Sequence, residues 1–249
     1  MFQCGQSIAS VPEVRNLNDD SIMFDGKLAA IVFDFDGVIV ESAEIKTEAF
    51  RRLFAHRPEY LDDIVALHER YVGLDRFSKF AMIYRDVLHQ PLAVDEMERL
   101  GRRFKSIVEE SVTQCEMVRG AQDTLDRFAG RVPLAIVSGT PQGELDAITE
   151  RRKLRRYFTA VSGSPPGKPE LISLLLGKYH WRPQHVVMVG DGLTDLEAAR
   201  ANAIGFIGRV RAERNPFPQG TSVIADLTHL PGAIAALLGG AAEAKLAVP

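Results

Sequence analysis

The chain has 249 residues, 46% of them hydrophobic and 25% charged, enough to bury a full core and to carry one core domain plus an insertion. Its formal net charge of −3 and pI of about 6.1 supply no broad basic field, which excludes nucleic acid and anionic membrane as expected partners. Cys4 and Cys115 lie far apart with no metal-ligand spacing, and no apolar run reaches membrane-spanning length, so the expectation is a soluble, cytoplasmic protein with reduced thiols.

Residues 1–27 are polar through RNLNDD and lack periodicity, so they read as an N-terminal extension, either loose or an extra edge strand. With Glu13, Asp19 and Asp20 and no basic region before an apolar core, they do not resemble a signal peptide. LAAIVF at 28–33 then has the unbroken apolar character of a strand covered on both faces. Similar runs recur at 132–138, 185–190 and 203–208, with a weaker one at 159–163. Helical patterns separate them: AQDTLDRF, GELDAITERRKL, PELISLLLGKY and LTDLEAARAN. Strands alternating with such helices predict an α/β doubly wound parallel sheet, a Rossmann-like three-layer core.

The first crossover is too long for this scheme, since roughly eighty residues separate its strand from the next core helix. Ile45, Ala49, Leu53 and Phe54 recur at helical spacing, followed by LDDIVALHERYV, DRFSKFAMIYRDVL and VDEMERLGRRFKSIVEESV. An all-helical inserted domain at 43–116 is therefore expected, with the core formed by 28–42 and 117–249. Hinges are expected near 41–43 and 117–120.

Ligands of open α/β sheets bind beyond the carboxyl ends of the strands. The first strand delivers Asp34 and Asp36, the second Ser138, Gly139 and Thr140, and the fourth Gly190, Asp191, Gly192 and Asp195; Lys168 follows the weak third strand. Close carboxylates repel unless a cation or proton compensates them. Several acids, a hydroxyl and a lysine suit a hard cation such as Mg²⁺ together with a phosphate group. The hydroxyls and a glycine-containing turn then hold phosphate oxygens. In the helical insertion, Gly73 permits a tight turn, and Arg76 or Lys79 is placed to reach a second anionic group of the substrate. The histidines, including His68, have no ligand spacing and read as surface or core packing, and Trp181 and the inserted phenylalanines read as core.

From about 28 to 208 the chain resembles the haloacid dehalogenase-like hydrolases. The resemblance rests on DFDGV at 34–38, SGT at 138–140, Lys168 before Pro169, and GDGLTD at 190–195, in that order at strand ends, with the insertion similar to that family's α-helical cap. It implies a Mg²⁺-dependent phosphatase of a small phosphorylated metabolite, of the phosphoglycolate phosphatase or β-phosphoglucomutase-like type. Asp34 would be the nucleophile forming an aspartyl-phosphate, and Asp36 the general acid and then base. Asp34, Asp191 and the backbone carbonyl of Asp36 would bind the metal, with Asp195 a further ligand or an orienter. Ser138 would hold the phosphoryl group and Lys168 neutralise it. Val38 and Gly192 depart from the threonine and serine common at those positions, without removing a charged group.

The core motifs are shared with phosphomutases of the β-phosphoglucomutase type, which stay an alternative. Dehalogenation and phosphonate cleavage are disfavoured by the acid at Asp36, and a catalytically silent binding protein by the full set of acids and Lys168. A cap that closes on its own core favours a monomer.

Overall fold

The computed structural model describes residues 28–211 and 215–246; the N-terminal extension and Cys4 lie outside the described residues. Six parallel strands form one sheet: β1 (Ala30–Phe33), β2 (Leu134–Pro141), β3 (Ala160–Ser164), β4 (Val186–Gly190), β5 (Gly205–Arg209) and β6 (Val223–Ile224). Their order, β3-β2-β1-β4-β5-β6, reverses direction beside β1. The doubly wound topology expected from the alternating pattern is the one that forms, with its switch point at the carboxyl ends of β1 and β4.

Between β1 and the next core helix run α1 (Ala43–Leu53), α2 (Leu61–Arg70), α3 (Arg76–Met82) and α4 (Val94–Gln114). The core crossovers are α5 (Ala121–Phe128), α6 (Gln142–Arg151), α7 (Lys168–Tyr179) and α8 (Leu193–Ala201), and α9 (Leu230–Leu246) follows β6. One departure from the sequence pattern lies in DRFSKFAMIYRDVL, where α3 widens after Met82 into a π turn, Ile83–Val87. Among the described residues no helix is long and apolar enough to cross a membrane.

Alternation along the strands sends successive side chains to opposite faces. Ala30, Val32, Val186 and Met188 pack with Ile172, Leu175 and Ala198 of α7 and α8. Ile31, Phe33, Val187 and Val189 pack with Leu125, Phe128, Leu145 and Ile234 of α5, α6 and α9. This second core runs on without a break into Phe50, Phe54, Ile64, Phe80, Leu100 and Phe104 of the inserted helices. The chain enters and leaves the insertion through an antiparallel stitch: Val40 pairs with Met117, Val118 N–H donates to Ile39 O (3.0 Å), and Glu41 N–H donates to Glu116 O (2.9 Å).

Candidate active site

Asp34 follows β1 immediately, and its backbone N–H donates to Val189 O on β4 (2.9 Å), so the ladder places its carboxyl at the switch point. The side chain is buried and accepts from Phe35 N–H (2.7 Å). Lys168, at the first turn of α7, brings its ammonium to 3.0 Å from Asp34 and 2.6 Å from Asp195. Asp195 also accepts from Gly192 N–H (3.1 Å), so it is held on two sides and orients Lys168. Burial by itself disfavours the ammonium, but Asp195 and Asp34 outweigh it and raise Lys168 above the ordinary lysine range.

Asp34, Asp191 and Asp195 converge, with one carboxylate oxygen from each within 4.8 Å of the others. Burial, with the neighbouring carboxylates adding to it, pushes Asp34 and Asp191 upward from the ordinary carboxylate range, although Lys168 opposes this at Asp34. Both oxygens of Asp191 are buried without a hydrogen-bond partner among the described residues; Arg211 approaches one of them only to 3.6 Å. A buried carboxylate with unfilled acceptors beside two more acids is a donor set for a hard divalent cation, so the residues fit Mg²⁺. The approach of Asp191 to the first-strand turn depends on Gly37, which has φ +76°, and a Cβ there would collide with the Asp191 carboxylate.

Asp36 faces a different set of partners. Ser42 Oγ donates to Oδ1 (2.6 Å), Thr140 Oγ1 donates to Oδ2 (2.9 Å), and Lys46 Nζ pairs closely with Oδ2 while also reaching Thr140 Oγ1 (2.9 Å). Burial raises this carboxyl, but the Lys46 charge and the three hydrogen bonds prevail and hold it below the ordinary range. The Asp36 carboxylate is therefore outside the converging acids, which leaves only its backbone carbonyl to the metal assignment. Arg209, the last residue of β5, fixes the same turn by donating to Gly37 O (3.1 Å) and to both oxygens of Glu41.

Sequence reasoning missed Lys46 and Ser42. Their signal was available, because Ser42 and Lys46 are four apart at the start of an amphipathic helix directly after the DFDGV segment. It also missed Arg209 and Glu144, whose partners are distant in sequence. Ser138 is buried and its Oγ accepts from Thr140 N–H (3.1 Å). Gly73, with φ +84°, carries the turn between α2 and α3 directly onto the core: a Cβ there would lie 3.0 Å from Lys168 Nζ, and one on Gly139 would lie 2.5 Å from Gly73 O. Thr194 Oγ1 donates to Val72 O (2.6 Å), pinning this turn.

Arg76 opens α3. It is buried, stacks on the Phe104 ring (4.7 Å to centroid), and donates to both oxygens of Glu144 on α6 (3.2 and 2.6 Å). His68 is buried and stacked on Phe50, in keeping with a packing role, and it also lines the cleft. That cleft joins Asp34, Asp36, Lys46, Ser138, Lys79 and Asp191 in one space.

The fold and site together define an α/β enzyme with an acid-and-lysine centre at the switch point of its sheet. Residues 31–209 match the haloacid dehalogenase-like hydrolase family, and the chain belongs to that family. It is 28% identical over 176 residues to a phosphoglycolate phosphatase of Synechococcus elongatus, covering 70% of this chain and 79% of the relative. It is 25% identical over 185 residues to a phosphorylated carbohydrates phosphatase of Thermotoga maritima, covering 71% and 82%. The structure of CbbY from Rhodobacter sphaeroides, solved in complex with phosphate, superposes with a TM-score of 0.64 at 19% identity over 82% of this chain and 96% of that one, which shows the shared fold.

Proposed function

We propose that the protein is a Mg²⁺-dependent phosphatase of small phosphorylated metabolites that works through an aspartyl-phosphate on Asp34. The observation that carries this reading is the placement of two carboxyls in one cleft with opposite environments. Asp34 is held by Lys168 and the Phe35 N–H among the converging acids, and Asp36 is held by Lys46, Ser42 and Thr140. Lys168, with a cation bound among the acids, would keep Asp34 ionised for attack, and the hydrogen-bonding partners of Asp36 hold a second carboxyl apart from those acids for proton transfer.

An Asp34 oxygen attacks phosphorus as the bond to the substrate's ester oxygen breaks, and that oxygen takes its proton from Asp36. Lys46, bonded to the same Asp36 oxygen, holds that carboxyl in place, and the proton that Asp36 gives up in this step is restored by the water of the next. Water then attacks the phosphoryl group, Asp36 accepts its proton, and the bond to Asp34 breaks to release phosphate. The ionised form of Asp36 favoured by Lys46 is the one this second step uses. Asp34, Asp191 and the Asp36 carbonyl would hold Mg²⁺, which when bound offsets the negative charge of the carboxylates and the phosphoryl group. Ser138 and the Gly139–Thr140 backbone receive phosphoryl oxygens, and Lys168 neutralises charge on the phosphoryl group and on Asp34. Helices α1–α4 act as the cap that excludes water. The two relatives named above as phosphatases support hydrolysis over phosphoryl transfer within a sugar phosphate.

The test is phosphate release from an aryl phosphate and a panel of phosphorylated metabolites, with Mg²⁺ and in excess chelator. Release should need the metal, be abolished in Asp34→Asn, and be slowed about 10²- to 10⁴-fold in Asp36→Asn. Undiminished release from Asp34→Asn, with deamidation excluded, would refute the covalent route.

A further inference from the structure

The cleft holds a second polar cluster that phosphoryl transfer at Asp34 does not use. Lys79 of α3 and His68 of α2 both line it, at 4% and 6% exposure. Lys79 Nζ lies 3.0 Å from His68 Nδ1 and 3.4 Å from His68 O, and among the described residues no carboxylate pairs with it. With Lys79 protonated its ammonium only donates, so in that form Nδ1 accepts and the ring proton sits on Nε2. No acceptor among the described residues meets that Nε2–H. The imidazole is fixed by stacking on Phe50 at 4.4 Å, with Lys79 5.7 Å from the same ring centroid.

The neighbouring cations are committed elsewhere. Arg76 is paired with Glu144, Lys46 with Asp36, and Lys168 with Asp34 and Asp195. Burying an ammonium without a counterion is costly, and an apolar side chain on α3 would avoid the cost. Burial, with the charge of Lys46 adding to it, holds Lys79 down to about 7. Burial and the Lys79 charge hold His68 down to about 2, so its ring is neutral. An anion placed against the pair supplies the missing partner.

We propose that Lys79 and the His68 Nε2–H form a pocket for a second anionic group of the substrate, a carboxylate or a second phosphate remote from the transferred phosphoryl group. This rests on the phosphatase reading and narrows the substrate to phosphomonoesters carrying another negative charge. The recognition falls to Lys79 rather than Arg76, whose guanidinium already has its carboxylate.

Phosphonates do not hydrolyse, so their binding can be read by calorimetry in Mg²⁺ whether or not the protein turns over esters. Three series of one- to three-carbon chain length serve as probes: alkylphosphonates, matched carboxyalkylphosphonates and matched bisphosphonates. At one length or more, the wild type should bind a doubly anionic ligand about ten-fold tighter than its alkyl counterpart, as expected of a charge-assisted contact. Whether the carboxylate or the bisphosphonate gains more identifies the anion. Lys79→Met should bring the ratio close to one, and Lys79→Arg should retain part of it. Because the ratio is taken within each variant, partial loss of folding affects both ligands alike. No gain at any length, or a gain that survives Lys79→Met, overturns the pocket. Selective binding without release of phosphate from any ester would uphold the pocket and remove the phosphatase reading, whereas release without selectivity would do the reverse.

Discussion

Lys79 shows how a single buried charge can be read through stability as well as binding. The folded chain holds its amine near 7, against an ordinary value of 10.5, with burial the largest cause. Between those pH values the unfolded chain carries a proton that the folded chain lacks, so stability rises with pH, by up to roughly 1.4 kcal/mol per pH unit. Below that window both states are charged and the buried ammonium destabilises the fold in full. Methionine keeps the length and removes the charge, so Lys79→Met should be more stable than wild type at pH 7, and the gap should narrow by pH 9.5. Urea unfolding at the two pH values measures this, and parallel pH dependence in both proteins would place the lysine's titration elsewhere. His68, held near 2, contributes only at more acid pH and leaves this window untouched.

The turn between α2 and α3 is where the inserted helices meet the catalytic loops, and its seating depends on the absence of side chains. A Cβ on Gly192 would lie 2.6 Å from Val72 O and 3.0 Å from Val72 C. Both are backbone atoms, which cannot rotate away as a side chain can. Gly192→Ser, the residue common at this position in the family, should therefore lift the turn and weaken the Thr194 bond to Val72 O. The expected cost is about 1–3 kcal/mol in thermal unfolding, with faster amide exchange at Val72–Leu74. Gly143, in the first turn of α6 with nothing within 4 Å of its Cβ position, is the control, and Gly143→Ala should be neutral or slightly stabilising. Unchanged exchange in Gly192→Ser would show that the turn adapts without separating from the core.

At the scale of the whole molecule, the switch point of the sheet gathers three buried acids around one lysine. Asp34, Asp191 and Asp195 are buried together, Lys168 faces two of them, and Asp191 keeps two unfilled oxygens. A cation bound there only in the folded state stabilises the fold by mass action, about 2.7 kcal/mol at a hundred-fold excess over Kd. Melting temperature should rise with added Mg²⁺ and fall back in chelator, and Asp191→Asn should lose most of that response. A melting curve indifferent to Mg²⁺ in the wild type would count against the metal assignment independently of any activity assay.

Local pattern was enough for the layer order and for the catalytic acids. Four unbroken apolar runs and the helices between them specify a parallel sheet, because strands buried on both faces must be apolar throughout. The ends of those runs then locate Asp34, Asp36, Ser138, Asp191 and Asp195, and the weaker run at 159–163 precedes Lys168, since chemistry in such sheets sits where strands terminate. β6 has two residues and α9 has no polar face in its described part, so neither carries a periodic signal in the sequence. Which charges pair could not be read from spacing. Asp36 meets Thr140 across 104 positions, Arg76 meets Glu144 across 68, and Arg209 meets Glu41 across 168. Such pairs depend on how the inserted helices seat against the sheet, which only packing decides. The same packing pairs Arg76 within the protein and leaves Lys79, three residues further along the helix, facing the cleft without a counterion.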